Sequence, residues 1–232
     1  MSALAACTSL YAADAPTVPT MPLEPKPNVI SSAPQVYQSC KVFDNSIALT
    51  FDDGPLGNTK TLETLKKYNA KATFFVIGKC IAGHEDILKQ EIEAGCEVGN
   101  HSWTHPDLQK LDMDQRRQEI AQTNEAITKA CGKAPALFRP PFFSVNTAIT
   151  GMLLKEFRLS IILCDVNSFD YRDHDSAKAI ANIVEKTVPG SIILCHENQP
   201  TTVAALPEIL EKLTAKGFKF VTVSELIAKG QH

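Results

Sequence analysis

Several things are missing from this 232-residue sequence, and each absence removes a class of function. No apolar run approaches the roughly 20 residues that a helix needs to cross a bilayer. Neither sign of charge dominates: the formal net charge is −3 with 21% charged residues, so nothing calls for nucleic acid or an anionic membrane as partner. No Cys-x-x-Cys occurs, which argues against a cysteine zinc site or a thioredoxin-like redox pair. A glycine-rich dinucleotide fingerprint is absent as well, and no internal repeat or second domain shows.

Glycine is also absent from residues 1–39, which hold six of the fourteen prolines. Residues 1–15 are mostly small and apolar, and Ala13-Asp14-Ala15 resembles a cleavage site, although no basic segment precedes it. The expectation is a leader or proline-stiffened linker over 1–39 and a single catalytic domain over 40–232. A leader of this kind points to a secreted or surface-associated protein, expected to be a monomer. Without Cys7, six cysteines remain (Cys40, Cys80, Cys96, Cys131, Cys164 and Cys195), compatible with disulfides or with buried thiols.

From Cys40 onwards, β-rich runs alternate with amphipathic ones. Strands are expected near 46–51, 72–77, 97–100, 136–139, 159–165, 191–195 and 218–223. Helices are expected near 60–68, 85–94, 114–130, 147–157, 176–187 and 203–216, several closed by glycine at Gly95, Gly132 and Gly217. Asp112 and Gln115 have the spacing of a capping box. Strands almost continuous in apolar residues and separated by helices predict an α/β fold. The form expected is a distorted (β/α) barrel of seven or eight parallel strands.

The reactive side chains follow the strands. Asp52-Asp53 ends the first, His101 and His105 follow the third, Arg139 follows the fourth, Asp170 the fifth, and His196 closes the sixth. In a barrel all these ends converge on one face. Two histidines four apart share a side in a helical turn, and with a carboxylate they make a metal site with open positions. Adjacent acids on an extended backbone point in different directions, so one can ligate while the other serves as general base. His196 is placed to act as general acid, with Asp170 holding its imidazole protonated. Arg139, fixed by two prolines, can pair with one of the acids.

Taken in order, Thr50-Phe51-Asp52-Asp53-Gly54-Pro55, His101-Ser102-Trp103-Thr104-His105, Arg139-Pro140-Pro141-Phe142, Asp165-Val166-Asn167-Ser168-Phe169-Asp170-Tyr171 and Leu194-Cys195-His196 resemble the five motifs of the NodB-type polysaccharide deacetylases, carbohydrate esterase family 4. The resemblance covers about residues 42–230. It implies metal-dependent removal of acetyl groups from a glycan, with chitin or its oligomers the expected substrate. Peptidoglycan, acetylxylan and a non-catalytic glycan-binding role are the alternatives. It implies Asp53, His101 and His105 as ligands of one divalent ion, with zinc expected and cobalt or nickel compatible. Asp52 becomes the base, oriented by Arg139, and His196 the acid, supported by Asp170. The Phe142 N–H would meet the charge on the acetyl oxygen, and Leu194 would line the methyl pocket. The chain departs from the family at Phe142 for Tyr, Phe143 for Gly, Asn167 for Asp and Tyr171 for Trp. These departures bear on substrate fit and loop shape.

Overall fold

The computed structural model describes residues 33–56, 59–197 and 199–230, so Cys7 and most of the expected leader lie outside the described residues. The strands are β1 (Val36–Tyr37), β2 (Ser46–Gly54), β3 (Thr73–Val76), β4 (Glu97–Asn100), β5 (Leu137–Phe138), β6 (Ser160–Ile162), β7 (Val166–Asn167), β8 (Ile192–His196) and β9 (Lys219–Val221). The helices are α1 (Lys60–Lys67), α2 (Glu85–Glu93), α3 (Met113–Cys131), α4 (Thr147–Gly151), α5 (Asp170–Asp173), α6 (Ser176–Lys186), α7 (Pro200–Ala215) and α8 (Val223–Lys229). A π-helical turn over Met152–Glu156 extends α4.

All named strands pair in parallel, in the order β1-β6-β5-β4-β3-β2-β8-β7, with β9 against the start of β2. The expected fold is confirmed: a curled parallel sheet wrapped by helices, a distorted (β/α) barrel. One expected strand is shorter than foreseen. Of the run at 159–165 only β6 forms, and β7, which was not foreseen, follows at Val166–Asn167. β6 and β7 pair at opposite ends of the sheet, and among the described residues an isolated bridge between Ser39 and Ser191, not a ladder, links those ends.

Alternation along β2 sorts the core. Ile47, Leu49 and Phe51 face the helices and pack with Leu62, Leu65, Leu88, Ile183 and Leu206. Ala48 faces inward with Phe75, Leu137, Ile162 and Ile192, where Val223, Leu226 and Ile227 of α8 plug the bottom of the barrel. A third cluster packs α4 and its π-helical extension on β5 and β6 through Phe138, Leu153 and Ile161. The capping box of Asp112 and Gln115 is present on α3, and Gly95, Gly132 and Gly217 all take positive φ as expected.

Helix α8 was not foreseen, and Val223, expected to end a strand, instead opens it. Thr222 and Glu225 form its capping box. Glu97, from the far side of the sheet, accepts hydrogen bonds from Ser224 N at 3.0 Å and Thr73 Oγ1 at 3.3 Å, and a very short one from Ser224 Oγ. This carboxylate ties the plug to the ring. Of the two states open for the six described cysteines, disulfide or thiol, all six are free thiols. Burial pushes Cys40, Cys96, Cys131 and Cys164 up to about 11, so they remain protonated packing groups at neutral pH.

Replacing Glu97 with alanine leaves those three donors without their acceptor. The expected cost is about 2 kcal/mol, read as a fall of roughly 4–8 °C in Tm by calorimetry.

Candidate active site

The last inward residues of β2 are Thr50 and Asp52. Simple alternation would turn Asp53 outward into the helical layer. It does not, because a register shift between Asp52 and Gly54 and a φ of 73° at Asp53 turn the carboxylate back over the barrel mouth. Gly54 leaves room for the carboxylate of Glu197, which an added Cβ would approach to 1.8 Å and force to move. Burial pushes that Glu197 carboxyl up to about 7.

His101 and His105 do come together, with ring centroids 4.8 Å apart, but not on a helical turn. The segment between them is a loop, and the left-handed residues Ser102 (φ 67°) and His105 (φ 61°) fold it back. Side chains that sequence reasoning passed over hold this loop. The Glu119 carboxylate on α3 accepts from Trp103 N and Thr104 N, both at 2.8 Å. Asn100 accepts from Ser102 N at 2.7 Å while donating to Asn124 and to the Ile120 carbonyl on α3. Trp103 packs over Gly78, where an added Cβ would come within 2.4 Å of the indole.

The donors converge. Asp53 Oδ1 lies 3.6 Å from His101 Nε2 and 3.5 Å from His105 Nε2. All three candidate ligand atoms lie within 4.8 Å of one another. An ion about 2.1 Å from tetrahedral ligands sets neighbouring donors about 3.4 Å apart, close to the two spacings from Asp53 to the histidines. The His101 tautomer fits too. Its Nδ1 lies 2.7 Å from the Arg139 carbonyl, which can only accept, so Nδ1 carries the proton and Nε2 keeps its lone pair for a metal. Burial, with His101 beside it, lowers the His105 pKa and keeps that ring in the neutral, ligating form.

Arg139 is 0% exposed. Its guanidinium donates to Asp52 Oδ1 at 2.8 Å, Thr50 Oγ1 at 2.6 Å and the carbonyls of Ile162 and Leu163, with its plane 4.3 Å from the Phe75 ring centroid. Across the site, Asp52 pairs in register with His196 on β8. His196 Nδ1 lies 2.7 Å from Asp170 Oδ1, and Asp170 also accepts from His196 N, Tyr171 N and the Thr202 hydroxyl. Burial pulls the His196 imidazole down. The Asp170 hydrogen bond and charge, with Asp52 and Asp53 beyond, more than reverse this and raise its pKa. Asp170 moves oppositely: burial raises it, but the His196 and Thr202 hydrogen bonds bring it below the usual carboxylate range.

A cavity of about 420 Å³ gathers these groups. Asp52, Asp53, His101, His105, Phe142, Leu194 and His196 line it, with Arg139 and Asp170 standing behind. The four departures from the resembled family, Phe142, Phe143, Asn167 and Tyr171, form part of its wall. Phe142 (φ 56°) and Phe143 (φ 53°) both occupy the left-handed region, which costs a side-chain-bearing residue roughly 1–2 kcal/mol.

Two imidazoles and a carboxylate converging beside a separate carboxylate–histidine pair are the equipment of a metal-dependent hydrolase. Comparison with known proteins narrows that class. Residues 41–156 match the polysaccharide deacetylase family, and the chain belongs to it. A peptidoglycan-N-acetylglucosamine deacetylase of Listeria monocytogenes is 37% identical over 182 residues, covering 78% of this chain and 38% of the relative. This chain therefore spans about two fifths of the length of that relative. Among solved structures, the Bc1960 peptidoglycan N-acetylglucosamine deacetylase has a TM-score of 0.79 at 31% identity, covering 85% of this chain and 95% of that one. A family pseudoenzyme from Bacillus anthracis has a TM-score of 0.77 at 28% identity, covering 85% and 70%.

Replacing His101 with alanine removes one of the three converging donors. Elemental analysis after dialysis should find the wild type holding close to one equivalent of divalent metal and the variant little or none.

Proposed function

We propose that the protein hydrolyses the N-acetyl groups of N-acetylglucosamine units in peptidoglycan. The observation that carries the reading is the division of labour across the pocket. A ligand set of Asp53, His101 and His105 lies beside a base, Asp52, and the hydrogen-bonded acid His196–Asp170 stands one strand away. The chitin expected from the motifs gives way because the curated relatives are named for peptidoglycan and xylan. Between those two, the acid favours the amide. An amine leaves only once its nitrogen is protonated, whereas an ester's alkoxide depends less on an acid. A histidine whose pKa is raised suits the harder task.

A divalent ion held by Asp53, His101 and His105 supplies Lewis acidity, polarising the acetyl carbonyl and lowering the pKa of the attacking water towards about 7. Zinc suits two imidazoles and a carboxylate, and cobalt or nickel fits the same donors. Arg139 fixes Asp52 through Oδ1, leaving Oδ2 to take the water's proton as the oxygen bonds to the acetyl carbon. The Phe142 N–H, presented by its left-handed turn, meets the charge that develops on the carbonyl oxygen. His196 then gives its proton to the nitrogen, the carbon–nitrogen bond breaks, and acetate and a free amine result. Leu194 lines the space beside the acetyl methyl. Peptidoglycan as substrate goes with a secreted or wall-associated location.

Acetate release from peptidoglycan strands, acetylxylan and chitin oligomers, each with and without chelator, tests the reading. Release from peptidoglycan that the chelator stops is expected; release from xylan alone would move the substrate, and release from none would remove catalysis. Asp52→Asn should retain metal and lose on the order of 10² to 10⁴ in kcat, since it deletes the base alone. Asp170→Asn removes the carboxylate that raises the His196 pKa. The acid is then lost at lower pH, and the alkaline limb of the pH–rate profile should move downward.

A further inference from the structure

The turn after β5 is built to hold two aromatic side chains at the rim of the pocket. Pro140 and Pro141 fix its start, and their carbonyls accept from Phe143 N and Ser144 N, both at 3.0 Å. Ser144 Oγ then donates to Asp107 Oδ1 at 2.5 Å and accepts from Gln109 at 2.9 Å, which ties the turn to the segment following His105. Within this braced turn Phe142 is 69% exposed and Phe143 36%. The ring of Phe142 is already engaged, edge-on to His105 with centroids 4.8 Å apart. Among the described residues no ring or cation stacks on Phe143, although it lines the pocket.

A left-handed backbone favours glycine, so a phenylalanine there is held against its conformational preference. Its partial exposure means that core packing does not account for all of the ring's surface. Across the pocket stands Tyr171, 46% exposed, its ring 5.1 Å from that of His196. The sheet order sets β5 and β7 on opposite sides of β2, so the Phe142–Phe143 turn and Tyr171 form opposite banks. One bank carries only hydrocarbon rings; the other carries a phenol and the Asn167 amide.

Resting on the glycan-deacetylase reading, we propose that Phe143 is a specificity residue. Its ring stacks on the apolar C–H face of the pyranose next to the unit that loses its acetyl group. The occupant is a neighbouring sugar of the same glycan because the ring is continuous with the catalytic cavity. Phe143 thereby favours a chain of linked sugars over an isolated acetylated unit.

Three variants test it: Phe143→Tyr keeps the aromatic face, Phe143→Leu keeps apolar bulk without the ring, and Phe143→Gly removes both while suiting the backbone. Binding of a peptidoglycan-derived tetrasaccharide, followed by titration calorimetry, is read for each folded variant alongside KM and kcat for the same oligomer and for a small acetyl ester. Leu and Gly should weaken tetrasaccharide binding roughly fivefold and raise its KM to match, with a smaller change on the small ester, and Tyr should restore wild-type binding. Equal behaviour of Leu and Tyr would overturn the proposal, as would a loss confined to kcat or equal on oligomer and small ester. The binding arm separates the two readings. If wild-type protein releases no acetate yet Leu and Gly still lose tetrasaccharide affinity, the deacetylase reading fails and the stacking role stands.

Discussion

The fold and the site share one buried cation. Arg139 has no contact with solvent, and stripping a guanidinium of water costs several kcal/mol unless each donor is met. Here the compensation is distributed around the ring: Asp52 and Thr50 from β2, the Ile162 and Leu163 carbonyls where β6 ends, and the face of Phe75 on β3. The carbonyl of the same residue sets the His101 tautomer. The orientation of Asp52, the tautomer of His101 and the tie between β2 and the end of β6 thus depend on a single residue.

His101 and His196 illustrate how environment sets one kind of side chain in two different states. His101 is bonded through Nδ1 to a neutral carbonyl, which leaves a lone pair on Nε2 for a metal. His196 is bonded through Nδ1 to a carboxylate, which favours the imidazolium and makes it a proton donor. The partner across Nδ1 decides the chemistry. The pseudoenzyme among the structural neighbours is a reminder that the barrel by itself does not fix activity.

Much of this was legible in the sequence because the motifs sit at strand ends and strand ends converge. The barrel class, most helices and the glycine caps could be placed from local pattern, and the side chains that the motifs single out, Phe142 and Leu194 through the family resemblance, meet around one pocket. Illegible were features decided by distant partners or by single backbone angles. The spacing of His101 and His105 suits a helical turn, yet two left-handed residues and a carboxylate on α3 achieve the same convergence in a loop. Helix α8 does carry a local signal, the Thr222–Glu225 capping box, but the tie that holds it to the sheet comes from Glu97, 127 positions from Ser224. The shortening of the 159–165 run to β6 and the separate strand β7 after it are invisible locally, since the pairing partners of the two strands lie at opposite ends of the sheet.

The join between the two ends of the sheet has a further consequence. A sheet whose ends meet through an isolated bridge and not a ladder keeps two rims, and rims invite other chains to add strands. In this barrel the outermost strands, β1 and β7, are each two residues long. Neither offers a run of free backbone groups long enough to template a neighbouring molecule. The curled sheet can therefore keep its mouth open without leaving a long unpaired strand at its edge.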